Sequence, residues 1–192
     1  MARKVEFKPD RPRASWISKL YLTQKQRKSL LKWGLYALVL LILSVLQDVL
    51  LCKMSIFGAT TELVPCGIFL ICLLEGVETG TLFAFFASML YLFSGAAAGN
   101  YSLVLLTAIS FLITFLRQGL LQKGFNAAML CTGVGLLLYQ LSAFFIAAFL
   151  GHTYMGRMGV AFLTALLTAL TAPALYPLLQ AICKLGGEAW KE

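Results

Sequence analysis

Long runs of apolar residues, separated by short polar breaks, fill most of the chain beyond residue 32. A helix needs about 20 such residues to cross the roughly 30 Å hydrocarbon core of a bilayer. Turn-forming glycines and polar residues bound each run. The pattern predicts six transmembrane helices, at 33–51, 62–74, from the following hinge to about 94, 101–116, 125–150 and 160–182.

The second and third of these runs are joined by a polar hinge that holds Glu75, Gly76, Glu78 and Gly80. We expect Glu75 and Glu78 to be solvated loop charges at the cytoplasmic interface. Since the hinge carries neither Lys nor Arg, a five-span arrangement with a re-entrant segment at this point is the alternative.

The composition supports a membrane location. Hydrophobic residues make up 60% of the chain and charged residues only 12%, whereas soluble domains are about 45–50% apolar and about 25% charged. Such a chain is too apolar to be disordered, and it has too few charges to cover a soluble globule. The fold class that we predict is an all-α integral membrane protein.

The net charge of +8 is concentrated at one end of the chain. Ten of the sixteen Lys and Arg residues lie in 1–32, and residues 33–192 sum to zero. Only Lys53 and Arg157 fall on loops that six spans would place outside, so the positive-inside rule puts both termini in the cytoplasm. We therefore divide the chain into a basic leader (1–32), a membrane domain (33–182) and a short cytoplasmic tail (183–192).

Within the leader, residues 15–32 are predicted to form an interfacial helix, with a capping-box pattern at residues 23–26. Leu30 and Leu31 would face lipid while the lysines face anionic head groups. Docking of an acidic cytoplasmic protein is the alternative. The segment lacks any nucleic-acid reader motif.

Polar residues inside predicted spans are functional candidates, because a bilayer makes them costly. Gln47 and Asp48 close the first span and are expected at the outer interface. Gln140 lies in the middle of the fifth span, and its amide is expected to hydrogen-bond to another helix. The five cysteines are interpreted as small buried hydrophobes.

Small residues recur every four positions at Gly76, Gly80, Ala84 and Ser88. On a helix they form a stripe that another backbone can approach closely. The stripe is interpreted as internal packing or as the seat of a partner's transmembrane helix. The sixth span repeats the pattern with alanines and threonines between 161 and 172.

The sequence offers little for catalysis. The single histidine, His152, falls on a predicted outer loop near Arg157, and no nucleophile, metal-binding or phosphate-binding motif is present. We therefore predict no enzyme activity, no cofactor and no metal site. A membrane enzyme that uses His152, Arg157 and an acid such as Asp48 or Glu62 is the most distant alternative.

The basic leader, the six short spans and the series Gln47, Phe57-Gly58, Thr61-Glu62-Leu63-Val64-Pro65 and Gly76 resemble the rod shape-determining MreD family of Gram-positive bacteria. The resemblance covers 33–192 through soft motifs, and Gln47, Glu62, Leu63 and Pro65 are the family-motif positions. The family often has Pro-Asp-Leu where this chain has Thr61-Glu62-Leu63, and an acidic residue along the third span where this chain has Ala84 and Ser88. A role tied to that acid is therefore not carried over.

The resemblance implies a non-enzymatic scaffold of the cell-elongation machinery in the bacterial cytoplasmic membrane, which supports peptidoglycan synthesis. Its implied partners are an MreC-like single-span protein and, through it, a RodA-like glycosyltransferase, a class B penicillin-binding protein and MreB filaments. The implied fold is similar to the substrate-binding component of energy-coupling-factor transporters. That component of a vitamin transporter is also the alternative function, although the first span lacks the Ala-xxx-Ala pair typical of that class.

Overall fold

A computed structural model describes residues 24–49, 51–53, 55, 57–97, 99–120 and 124–185. Within these residues the chain forms six α-helices and no β-strand. The helices match the six predicted apolar runs: α1 (Gln24–Val49), α2 (Leu63–Glu75), α3 (Val77–Phe93), α4 (Tyr101–Leu120), α5 (Phe125–Phe149) and α6 (Met158–Leu185). The prediction of an all-α chain is therefore confirmed for the described residues.

Helix α2 is the core of the molecule. Every residue from Leu63 to Leu74 is buried, on all sides of the helix, which is the pattern of a helix surrounded by other elements. The other five helices form a ring around it, in the order α1, α3, α4, α5, α6 and back to α1, and each of them contacts α2. Both ends of α2 are therefore lined by side chains from the ring.

The helices differ in length, which bears on how they could cross a bilayer. Helices α1, α5 and α6 are long and apolar enough to span a membrane, whereas α2, α3 and α4 are shorter apolar helices. At 1.5 Å per residue, the 13 residues of α2 measure only about 20 Å. The ring presents apolar side chains outward, such as Leu90, Val104 and Leu170, which are 62%, 65% and 74% exposed.

Two helix boundaries differ from the sequence prediction. Helix α1 runs without a break across the expected division between leader and membrane domain at 32/33. Helix α6 continues through Pro173 and Pro177 as far as Leu185, because neighbouring helices can re-satisfy the backbone groups that a proline frees in an apolar bundle. Residues 1–23 of the leader and 186–192 of the tail lie outside the described residues.

The hinge between α2 and α3 is confirmed as a backbone break. Gly76 has φ 96° and ψ −179°, a combination that is essentially restricted to glycine. Its amide donates to the carbonyl of Cys72 at 3.0 Å, and its carbonyl accepts from the amide of Gly80. A single residue therefore ends one helix and starts the next.

Candidate functional site

The first turn of α2 is capped by side chains from the ring. The amide of Val64 donates to Gln47 Oε1 at 3.1 Å, and the amide of Glu62 donates to Thr168 Oγ1 at 3.0 Å. Pro65 needs no such partner, because proline has no amide hydrogen and fits the first turn of a helix. The Glu62 side chain itself makes no capping hydrogen bond.

This start of α2 lies deep within the bundle. Thr168 lies ten residues into α6, about 15 Å from the beginning of that helix at 1.5 Å per residue. Gln140 lies a similar distance from the end of α5 at Phe149. The start of α2 is thus held well below the ends of α5 and α6.

A group of polar side chains, here called the Glu62 cluster, surrounds this carboxylate: Gln140, Tyr91, Tyr101 and Tyr139. The carboxylate lies next to the Gln140 amide. Its charge also acts on the phenol groups of all three tyrosines. Three helices (α3, α4 and α5) and the loop before α2 therefore contribute to one polar site.

Part of the Glu62 cluster has no hydrogen-bond partner among the described residues. The buried atoms concerned are Glu62 Oε2, Gln140 Nε2 and Tyr139 Oη. Gln140 is 8% exposed and Tyr139 only 1%. Most buried polar atoms in proteins are hydrogen-bonded. The Gln140 amide lies beside the Glu62 carboxylate without a hydrogen bond of ordinary geometry, so these atoms are available to a further polar or charged group.

Two polar residues of the predicted spans, Gln47 and Gln140, lie at this end of the bundle. Gln47 is buried, and besides capping α2 it donates from Nε2 to Tyr91 Oη at 3.4 Å; only its neighbour Asp48 is exposed, as expected of an interfacial residue. The Gln140 amide lies beside the Glu62 carboxylate, on the residue that precedes α2. It thus links α5 to the start of the central helix.

A second polar group, the Glu75 pair, closes the other end of α2. Lys32 Nζ donates to Glu75 Oε2 at 2.6 Å, and Tyr36 Oη donates to Glu75 Oε1 at 2.8 Å. Arg117 donates to the carbonyl of Leu73. Cations at the end of a helix complement its macrodipole, so this end of α2 is held by charge as well as by hydrogen bonds.

The Glu75 pair contradicts two expectations. The prediction that Glu75 is a solvated charge is wrong, since its side chain is 6% exposed; Glu78 is exposed as predicted. Lys32 does not face head groups, because its side chain is 7% exposed and turned into the fold. Leu30 and Leu31 do lie on the outside, at 60% and 58% exposure.

The small-residue stripe lies inside the fold. A Cβ atom at Gly80 would lie 2.9 Å from the Cα and the carbonyl oxygen of Cys72, so α3 packs directly against the backbone of α2. Ala84 and Ser88 are fully buried, and Ser88 Oγ lies 3.3 Å from Thr107 Oγ1 on α4. Four cysteines (Cys66, Cys72, Cys131 and Cys183) are buried and free, in agreement with their interpretation as hydrophobes.

An apolar groove runs along the outside of α3 and α4. It has a volume of about 340 Å³ and exposes no polar surface. Short side chains lie between two aromatic ones, Phe85 and Phe111, which are 43% and 48% exposed. The residues that line it are Thr81, Phe85, Leu103, Val104, Thr107, Ala108 and Phe111.

The residues of the loop between α5 and α6 are not assembled into a metal site. His152 is exposed between α5 and α6, and the Arg157 guanidinium lies over the Tyr154 ring at 5.6 Å. Within the described residues no group of three or more His, Cys, Asp or Glu side chains could hold a metal ion.

The fold and the two polar groups define a bundle of apolar helices around a buried central helix. No protein-family model, no curated protein and no solved structure matches this chain. Sequence reasoning singled out Glu62, Gln47 and Gln140 but missed Tyr36 and Tyr91. It named Thr168 only as a small packing residue and missed its hydrogen bond to the Glu62 amide. A phenol or hydroxyl group inside a predicted span could have identified these residues, because such a group needs a hydrogen-bond partner in an apolar environment.

Proposed function

We propose that this chain is an MreD-like, non-enzymatic scaffold of the bacterial cell-elongation machinery. It lies in the cytoplasmic membrane with both termini in the cytoplasm, binds the transmembrane helices of partners and supports peptidoglycan synthesis. The proposal is supported by the family resemblance, by the apolar helical bundle, and by the concentration of positive charge before α1.

The observation that carries the proposal is the groove between α3 and α4. Small residues between helices let the backbone of another helix approach closely, and Ala108 and Thr107 provide short side chains between Phe85 and Phe111. One transmembrane helix is an occupant of suitable shape and polarity. An MreC-like single-span protein presents such a helix.

The partner surface that we propose is this groove and not the small-residue stripe that the sequence suggested. Gly80, Ala84 and Ser88 are used within the fold, against α2 and α4. The face available to a partner is the adjacent one, through Thr81 and Phe85. A RodA-like glycosyltransferase, a class B penicillin-binding protein and MreB filaments would then associate through the MreC-like protein, and the basic leader would bind anionic lipid.

Copurification tests the proposal. The chain is coexpressed with an MreC-type single-span protein, extracted in mild detergent and captured by a tag on one of the two. Ala108→Phe fills the groove and is expected to lower recovery of the partner about fivefold, which corresponds to about 1 kcal/mol.

Leu170→Phe on α6 is the matched control, because it adds bulk at an exposed apolar position on another face. Its recovery of partner should equal that of the unmodified chain. Equal recovery with Ala108→Phe and with Leu170→Phe contradicts the groove as the interface.

The Glu62 cluster favours a second candidate, the substrate-binding component of an energy-coupling-factor vitamin transporter. Buried and unpartnered polar atoms suit a small polar ligand. A vitamin found by mass spectrometry in the purified protein would support this function over the scaffold.

A further inference from the structure

The Glu62 carboxylate is buried without a basic partner. Among the described residues, no Lys or Arg forms an ion pair with the Glu62 carboxylate. Lys32 forms an ion pair with Glu75, at the opposite end of α2. An isolated buried carboxylate is costly, and proteins neutralise it by pairing, by protonation or by a bound cation.

Helix α2 does not satisfy this carboxylate either. A carboxylate that precedes a helix usually accepts from the amides of the first turn. Here the Val64 amide is taken by Gln47 and the Glu62 amide by Thr168, and the Glu62 side chain makes no capping bond. The carboxylate is therefore free to bind something other than its own helix.

The neighbours of Glu62 can supply further ligand atoms. Gln140 and Tyr139 are each more than nine-tenths buried, and Gln140 Nε2 and Tyr139 Oη have no hydrogen-bond partner among the described residues. The Gln140 amide lies beside the carboxylate, and the Tyr139 phenol lies within range of its charge. An amide can donate from its nitrogen to a carboxylate while its oxygen accepts from, or coordinates, a positive group. A phenol oxygen can do the same.

We propose that the Glu62 cluster binds a small monovalent cation. Glu62 supplies the buried carboxylate oxygen of the cluster; Asp48, whose charge also acts on Tyr91, is exposed, so a single positive charge suffices to neutralise the buried acid. Ca²⁺ and Mg²⁺ prefer several oxygen ligands or water shells around a higher charge.

Two kinds of ligand carry a single positive charge of this kind: an alkali cation such as sodium, and a small amine with its ammonium group. Oxygen atoms from a carboxylate, an amide and a phenol suit both, and the tyrosine rings near Glu62 can add a cation–π contribution for the amine. The inference stands apart from the proposed scaffold function, because the cluster lies at the start of α2 and the groove lies outside α3 and α4.

Thermal unfolding of the purified full-length chain in detergent tests the site. Sodium chloride or methylammonium chloride replaces N-methylglucamine chloride at constant chloride concentration, and unfolding is followed by tryptophan fluorescence. A saturable rise in Tm of about 5 °C at a hundredfold excess over Kd is expected. A rise with sodium only identifies an alkali cation, and a rise with methylammonium only identifies an amine.

Glu62→Gln keeps the shape and removes the charge, so it should abolish this rise. Glu78→Gln, which neutralises an exposed acid in the first turn of α3 at the opposite end of α2, should leave it unchanged. An equal rise in the unmodified chain and in Glu62→Gln overturns the proposal, as does the absence of any saturable rise with either cation.

If Glu62→Gln does not fold, direct binding of radioactive sodium and of radioactive methylammonium to the unmodified chain decides the question. Saturable binding of either cation supports the site. The absence of saturable binding of both overturns it.

Discussion

Lys32 Nζ donates to Glu75 Oε2 at 2.6 Å, and both side chains are more than nine-tenths buried. The two residues are 43 positions apart in the chain, on α1 and at the end of α2. Tyr36 satisfies the second carboxylate oxygen. This bond fixes the last turn of the central helix to the first helix of the ring, next to the Gly76 hinge.

Breaking this pair from one side should destabilise the fold strongly. Lys32→Met leaves the Glu75 carboxylate buried without its counter-ion, and we expect a loss of about 3 kcal/mol in the free energy of unfolding. The double variant Lys32→Met, Glu75→Gln should recover part of that loss, because no charge is left unpaired. Unfolding in a mild detergent titrated with a denaturing one gives the comparison.

Glu78→Gln is the control for the Lys32 and Glu75 variants, since Glu78 is an exposed acid three residues after Glu75. It should change stability by less than about 0.5 kcal/mol. A loss with Lys32→Met no larger than this would show that the buried pair does not hold the hinge.

Gly80→Ala should destabilise the chain, although alanine is normally the better helix former. The added Cβ would lie 2.9 Å from the backbone of Cys72, so α3 must move away from α2. We expect a loss of about 1–3 kcal/mol from overpacking. The measurement is Tm in detergent.

Gly133→Ala on α5 is the matched substitution, because a Cβ atom there would meet nothing within 4 Å. It should raise stability by up to about 1 kcal/mol through helix propensity. If both glycine variants gained stability, the close approach of α3 to α2 would be contradicted.

Gln47→Leu should cost about 1–3 kcal/mol, since it leaves the buried Val64 amide without an acceptor. Tyr91 Oη keeps its bond to the carbonyl of Ala96, so the loss is expected mainly at the first turn of α2. Hydrogen exchange of the Val64 amide should accelerate more than that of amides at the Glu75 end of α2. Asp48→Leu, at the adjacent exposed position, should leave this exchange unchanged.

Cysteine labelling tests the proposed orientation and the number of spans. In a chain whose native cysteines are replaced by alanine, Glu78→Cys and His152→Cys place thiols at two exposed positions. An impermeant maleimide added to intact cells should label the position at 152. The position at 78 should react only after permeabilisation, because the hinge is expected in the cytoplasm. Labelling of position 78 from outside would contradict the six-span arrangement.

The sequence by itself determined the class of fold and the positions of its elements. Apolar runs are set by local composition, and each of the six became a helix close to its predicted bounds. The helix break at Gly76 was also predictable from the sequence, since glycine and flanking polar residues interrupt a helix locally. The exposure of Glu78, Asp48 and Leu31 followed from the same local pattern.

The tertiary structure alone decided which apolar helix is central and which polar residues meet. When nearly every residue of a helix is apolar, its sequence does not indicate which neighbours will surround it. The sequence of α2 therefore did not distinguish it from the helices of the ring. Lys32 with Glu75, and Glu62 with Gln140, are 43 and 78 positions apart. Such pairs depend on the arrangement of whole helices, because burying a charge is tolerable only where a distant element brings a partner.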